Sequence, residues 1–332
     1  MSTRSSDLIK KIREQINNGD LRHFRFWLQI FFFLLFVYGG YLSINLGQNI
    51  PTFACGFNSE GQGATCYLIP LQHQLARSPS SLFSMAGIAV LIGFSYFVLW
   101  FLVLNKGWCG YACPLGTIQD WITSLRSKMG IHYAKYSWEQ FRHLKKIKYI
   151  LLVLMIFIPM GIGAGFFSHD MTTPFCMICP GRTIIPMFTG DFSQLTIDFS
   201  SKTKMVMTTL GMLITGIFLA GAFFKKRFFC FFCPMSALHF MLSKLAFLKL
   251  KKDGSKCTKC GDCYTVCDMQ IKEIADDVES KNILQDDCIM CFKCVSSCPE
   301  EGALKVEFLG QPVFEATVKG YIKRMEKENK NG

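Results

Sequence analysis

The sequence predicts an all-α polytopic membrane domain of four transmembrane helices in two pseudo-repeated halves, with a small α+β domain following it. Four apolar stretches, at 26–46, 82–104, 149–167 and 205–224, are each long enough to cross a hydrocarbon core of about 30 Å as a helix. A paired-cysteine motif recurs in each half of that region, and two longer cysteine runs of identical spacing follow the last stretch. The composition agrees, since half of the residues are hydrophobic and Phe alone numbers 32. Such usage belongs to membrane proteins.

The N-terminal segment, 1–25, carries Arg4, Lys10, Lys11, Arg13, Arg22 and Arg25, with an amphipathic interfacial helix expected over 8–16. The first apolar stretch exceeds a signal-peptide core and no small-x-small cleavage site follows it, so a retained anchor is expected. In the third stretch Pro159, with Gly161, Gly163 and Gly165, predicts a bend of the kind that membrane helices tolerate. The inner loop, 105–148, is rich in Lys and Arg, as is the segment after the fourth stretch. The loops 47–81 and 168–204 carry few basic residues. That asymmetry predicts a multi-pass protein of the cytoplasmic (inner) membrane with both termini cytoplasmic. The net charge of +12 is then a topology signal and not a nucleic-acid footprint.

The two halves repeat. Each has a span, an outer loop with two cysteines, a returning span and an inner Cys-Pro motif. The inner motifs are Cys109-Gly-Tyr-Ala-Cys113-Pro114 and Cys230-Phe-Phe-Cys233-Pro234, and the outer pairs are Cys55 with Cys66 and Cys176 with Cys179. Proline suits the first turn of a helix, which puts the preceding cysteine at a helix end that stabilises a thiolate. Cys109, Cys113, Cys230 and Cys233 therefore form an inner-face thiolate set. An additional iron–sulfur centre, a structural zinc and metal-free redox thiols all fit it. Cys55, Cys66, Cys176 and Cys179 fit either disulfides or an outer-face centre.

Beyond the spans lie Cys257-x2-Cys260-x2-Cys263-x3-Cys267 and Cys288-x2-Cys291-x2-Cys294-x3-Cys298-Pro299. Three cysteines at this spacing wrap one corner of a cubane, and in two-cluster ferredoxins the fourth ligates the other cluster. This assigns Cys257, Cys260, Cys263 and Cys298 to one [4Fe–4S] cluster, and Cys288, Cys291, Cys294 and Cys267 to a second. Asp268 stands after Cys267 where proline is usual. The domains expected are a cytoplasmic segment at 1–25, the membrane domain at 26–250, a bacterial-type 2[4Fe–4S] ferredoxin-like domain at 251–306 and a tail at 307–332.

With Cys109–Pro114, Cys230–Pro234 and the runs from Cys257 to Pro299, the chain resembles the NapH-type membrane ferredoxins. Relatives in that family come from periplasmic nitrate reduction, methylamine use and the NosR-like proteins. Cys230-x2-Cys233 departs from the x3 spacing usual in the family. The resemblance implies an electron-transfer subunit of a quinol dehydrogenase-type complex, working in a respiratory chain such as that of anaerobic respiration. It implies exchange of electrons between the quinone pool or cytoplasmic donors and a redox partner, expected to be periplasmic. The alternative is a redox factor for maturation of a metalloenzyme such as a copper oxidase.

No catalytic residues are assigned, because neither a nucleotide-binding glycine motif nor HExxH occurs. His23, His73, His132, His143, His169 and His239 are scattered, without the paired intramembrane placement of haem ligands. The five tryptophans suit interfacial anchoring.

Overall fold

Proline opens four helices of the membrane half, where its missing N–H costs nothing, and a capping box between Ser137 and Gln140 opens a fifth. The computed structural model describes Asn17 and residues 21–42, 66–77, 81, 83–135, 137–167, 173–283 and 287–331. Cys55, His169 and the helix expected over 8–16 lie outside the described residues.

In chain order the helices are α1 (Leu21–Tyr38), α2 (Leu68–Leu75), α3 (Met85–Leu104), α4 (Pro114–Lys128), α5 (Trp138–Gly163), α6 (Pro174–Ile178), α7 (Pro180–Met187), α8 (Lys202–Phe224) and α9 (Pro234–Ser243). Strand β1 (Leu248–Lys252) follows, then the short helices α10 (Asp262–Thr265), α11 (Glu273–Asp276) and α12 (Lys293–Ser296). Strands β2 (Leu304–Phe308) and β3 (Gln311–Glu315) and helix α13 (Val318–Asn331) complete the order.

Among the described residues α1, α3, α8 and the part of α5 from His143 to Gly163 are long and apolar enough to cross a membrane. Their exposed faces carry Leu91, Leu99, Val153, Phe157, Leu213 and Ile217, a surface whose natural solvent is lipid. α1 ends before Gly39 and Gly40, although the apolar stretch continues to 46. Pro159 is accommodated inside α5.

The chain forms two compact units. The membrane unit comprises 29–100 and 111–239, and the ferredoxin unit comprises 1–28, 101–110 and 240–332.

Among the described residues two buried clusters hold the membrane unit together. In the first, Phe33 and Val37 of α1 meet Ile118 of α4, Ile184 and Ile185 of α7 and Phe218 of α8, with Leu115 and Phe229 packed against them. In the second, Leu152 and Met155 of α5 meet Met235 and Ala237 of α9, with Leu68, Phe175 and Cys233 at the edge. Gly211 permits the close approach of α6 to α8, since a Cβ there would lie 2.6 Å from the Met177 carbonyl oxygen.

The ferredoxin unit is built on the antiparallel sheet β1-β2-β3, with Leu250 opposite Val306 and Val306 opposite Phe314. Its strands run from 248 to 315, beyond the 251–306 expected for the ferredoxin-like domain, because the sheet needs a partner strand on each side of β2. Segment 101–110 joins this unit. Phe247 donates its N–H to the Leu102 carbonyl at 2.7 Å, and Asn105 Nδ2 donates to the Leu248 carbonyl at 2.9 Å. The buried Lys252 donates through Nζ to the carbonyls of Ile274 and Ala275 at 2.7 and 3.1 Å, satisfying the exposed carbonyl end of α11.

Candidate iron–sulfur sites

The two long cysteine runs repeat one backbone conformation. Lys259 and Gly261 have φ of +58° and +84°, and the matching Met290 and Phe292 have +52° and +58°. Left-handed residues alternating with right-handed ones turn successive N–H groups toward a common point, the nest that receives anionic clusters. A bulky residue takes that region only at a cost, so Phe292 holds its place against local strain. α10 and α12 then start directly after these turns, and each buries the third cysteine of its run, Cys263 or Cys294.

The fourth cysteines cross over. The Cys298 thiol interacts electrostatically with Cys257, Cys260 and Cys263, and burial followed by these neighbours pushes it up to about 11. Cys267 interacts with Cys288 and Cys291. Cys294, raised well above the ordinary thiol range mainly by burial, interacts with Cys288, Cys291 and Cys267. Cys257, Cys260, Cys263 and Cys298 line one cavity, with Lys259 and Leu304 on its walls.

No three His, Cys, Asp or Glu side chains among the described residues converge closely enough to ligate one metal ion. A zinc ion draws its thiolates to about 2.3 Å, whereas a cubane spreads one thiolate onto each of four irons. Four thiols around one cavity, together with the paired nests, therefore fit [4Fe–4S] groups.

The second thiol set has charged neighbours that motif reading did not find. Asp268, buried beside Cys267, accepts from Lys293 Nζ at 2.5 Å and from Arg25 Nη1 at 3.5 Å. Arg25 Nε also donates to the Gly110 carbonyl at 3.1 Å. Gly110 lies directly on the second cysteine loop, for a Cβ there would stand 2.5 Å from the Ile289 carbonyl oxygen and 3.5 Å from Cys291 backbone atoms. Cys109, its neighbour in the π-helical turn Trp108–Ala112, thus belongs to the ferredoxin unit.

In the membrane unit Cys113 and Cys179 share one geometry. Each is an extended residue, with φ/ψ of −65°/117° and −74°/126°, that caps a helix opened by proline. The N–H groups of Leu115 and Gly116 favour the Cys113 thiolate, and those of Gly181 and Arg182 favour the Cys179 thiolate. Burial is nevertheless the largest influence on both and raises them. Cys113 interacts electrostatically with Cys230, and Arg227 acts on both. Arg227 is itself held by Asp120 through Nε–Oδ1 at 2.8 Å and Nη2–Oδ2 at 2.5 Å, and Gln29 donates to Asp120 at 2.8 Å. Cys233 lies against the second apolar cluster.

The sequence placed Cys113 on the inner face and Cys66, Cys176 and Cys179 on the outer. The structure brings Cys66 into electrostatic range of Cys176, Cys179 and Cys113. The physical reason is the shared core: α4 and α7, each entered through a Cys-Pro step, pack Ile118 and Ile184–Ile185 against one another. Arg227, three positions before Cys230 of the second inner motif, carried a legible signal as a cation beside a thiolate. Gln29, Asp120 and Gly110 carried none.

Two family models match the chain. The model described as a 4Fe-4S binding domain matches residues 86–132 and 207–253, and that of a 4Fe-4S dicluster domain matches 249–299. The chain is 29% identical over 203 residues to an uncharacterized protein of Methanocaldococcus jannaschii, covering 60% of this chain and 71% of that one. It is 24% identical to the putative electron transport protein YccM of Escherichia coli, covering 71% and 60%. Against the ferredoxin-type protein NapH of Haemophilus influenzae the identity is 28%, covering 64% and 66%. The chain thus spans between 60% and 71% of the length of these relatives. No solved structure matches it. Ferredoxin-type relatives, two kinds of 4Fe-4S domain and four membrane-length helices support placing the chain with the NapH-type membrane ferredoxins, in a membrane iron–sulfur electron-transfer role.

Proposed function

We propose that the protein holds two [4Fe–4S] clusters in its ferredoxin unit, one on Cys257, Cys260, Cys263 and Cys298 and one on Cys288, Cys291, Cys294 and Cys267. A further iron–sulfur centre rests on the inner-motif cysteines of the membrane unit, Cys113, Cys230 and Cys233. The protein sits in the cytoplasmic membrane with both termini inside, and exchanges electrons between the quinone pool and a redox partner on the periplasmic side, as part of a multi-subunit complex. The observation that carries this reading is the crossing of the fourth cysteines, which joins two sequence runs into two four-thiol sets.

An iron–sulfur group supplies a one-electron change without proton chemistry of its own. The remaining work belongs to the chain. The nests at Lys259–Gly261 and Met290–Phe292 offer N–H groups to negative charge. Lys252 acts electrostatically on Cys263 and Lys106 on Cys288. Ile271, Ile274, Val295 and Ala303 are buried in the same unit.

Anaerobic purification of the full chain in detergent, with iron and acid-labile sulfide analysis and EPR, tests the proposal. Two interacting reduced-cluster signals are expected from the ferredoxin unit. A preparation containing zinc and no iron sinks it.

A further inference from the structure

Cys66, Cys176 and Cys179 come from two segments more than a hundred positions apart, yet the membrane unit brings Cys66 into electrostatic range of Cys176 and Cys179, and both Cys66 and Cys179 into range of Cys113. Two independent packing relationships hold them there. Gln72 Oε1 accepts from the Phe175 N–H at 3.3 Å, which ties α2 to the start of α6. Leu68 and Phe175 then share the cluster formed by Leu152, Met155 and Met235. The close approach of the Met177 carbonyl to Gly211 fixes α6 on α8.

We infer that Cys66, Cys176 and Cys179 ligate a second iron–sulfur centre of the membrane unit, next to the pair Cys113 and Cys230. This rests on the electron-transfer reading above and adds a site to it.

The chemistry of the set is specific. Thiolates alone select soft metals and iron–sulfur groups. These three are free thiols. Compensating charge is built in: Arg182 hydrogen-bonds to Cys176 and acts on it electrostatically, and its Nε is held by Gln194 Oε1 at 2.8 Å. The N–H groups of Gly181 and Arg182, at the start of α7, favour negative charge on Cys179. The same arrangement recurs at Cys113 with Leu115, Gly116 and Arg227. One device, a cysteine before Pro whose thiolate is favoured by the first N–H groups of the following helix, therefore occurs twice in one unit.

The test compares the full-length protein, purified anaerobically in detergent, with the Cys66→Ser single and Cys176→Ser/Cys179→Ser double variants. Iron and acid-labile sulfide should each fall by the content of one cluster, about two to four atoms per chain, while the EPR signals of the ferredoxin unit persist. Unchanged iron and sulfide in either variant overturns the site. Thiol alkylation of the unsubstituted protein provides a second measure that needs no variant to fold. Cys66, Cys176 and Cys179 should resist N-ethylmaleimide in the native protein and react after denaturation with an iron chelator and no reductant. Reaction in the native state, or only after a reductant is added, overturns the proposal in favour of open thiols or disulfides. Failure here with intact ferredoxin signals leaves the electron-transfer reading standing. A protein without any iron removes both.

Discussion

The ammonium group of Lys293 lies 2.5 Å from a carboxylate oxygen of Asp268, so the residues beside two cysteines of the second set, Cys267 and Cys294, form an ion pair. Arg25 approaches the same oxygen at 3.5 Å. The position after Cys267, where a proline is usual, is thus occupied by the anion of a buried charge network that reaches back to the start of α1.

We predict that Asp268→Asn leaves two cations facing the second set without their anion. The cluster potential responds to local net charge, so the midpoint on Cys288, Cys291, Cys294 and Cys267 should move upward. Breaking a buried pair typically costs about 3–5 kcal/mol, and the partial exposure of Lys293 places this case at the low end. An EPR-monitored redox titration decides it; a downward shift contradicts the arrangement.

Gly110→Ala tests the contact between segment 101–110 and the second cysteine loop. The added methyl would meet the Ile289 carbonyl at 2.5 Å, a backbone group that cannot rotate away, and overpacking of this kind costs about 1–3 kcal/mol. We expect selective loss of iron from the second set, with the signal of the set containing Cys257 retained. Equal loss from both sets would show general unfolding instead.

The parts of this molecule that sequence exposes are those written in local spacing. Four apolar runs stand out because lipid-facing helices need continuous hydrophobicity, and the x2 spacing stands out because the turn at Lys259–Gly261 must place three sulfurs on one loop. What stays hidden is tertiary. Periodicity cannot say that Ile118 and Ile184 share a core, so topology alone put Cys113 and Cys179 on opposite faces. Nor can composition show that Gly110, one of 27 glycines, is required by a carbonyl nearly two hundred positions away. The ferredoxin unit's recruitment of 101–110 rests on backbone hydrogen bonds such as Phe247 to Leu102, which have no side-chain signature.

The sheet should show a distinct acid sensitivity. Glu307 on β2 accepts from Lys251 Nζ at 2.5 Å and Lys305 Nζ at 3.3 Å. Its burial opposes ionisation, but the two lysines win and hold it below the ordinary value of 4.5. A carboxyl depressed by folding contributes stability above its unfolded pKa, and that contribution is lost as pH falls through the folded value. Glu307→Gln should therefore lower the melting temperature at pH 7, and the gap from the unsubstituted protein should close as pH falls through the depressed folded value, below 4.5. A gap that is constant with pH would show that packing, not charge, is what the substitution removes.

Orientation has a structural handle as well as a charge signal. Asn17 accepts from the Glu315 N–H at 3.0 Å through Oδ1 and from Arg324 at 3.1 Å through its carbonyl, so Asn17 and the segment carrying β3 and α13 lie on one side of the membrane. Four spans satisfy that requirement. A green-fluorescent fusion after Gly332 should be bright and an alkaline phosphatase fusion there inactive. Active phosphatase would place the ferredoxin unit outside and reverse the direction argued from the basic loops.

The pair Arg227–Asp120 allows the sharpest separation of an electrostatic role from a structural one. Arg227 acts on the Cys230 sulfur as a cation, whereas Asp120, at its other side, acts on the same sulfur with opposite sign. If Cys113 and Cys230 hold a redox centre, Arg227→Gln should lower its midpoint potential and Asp120→Asn should raise it, because the net charge nearby changes in opposite directions. Arg227→Lys keeps the charge but cannot span both carboxylate oxygens as the guanidinium does, so it should lose stability while keeping most of the potential. A purely structural pair behaves otherwise. Either substitution would then destabilise the fold, as loss of one partner of a buried pair does by about 3–5 kcal/mol, with no shift in potential or shifts of the same sign. Redox titration of the three variants beside their melting curves therefore reads the two roles on separate axes, and opposite shifts are the outcome that assigns Arg227 to the centre.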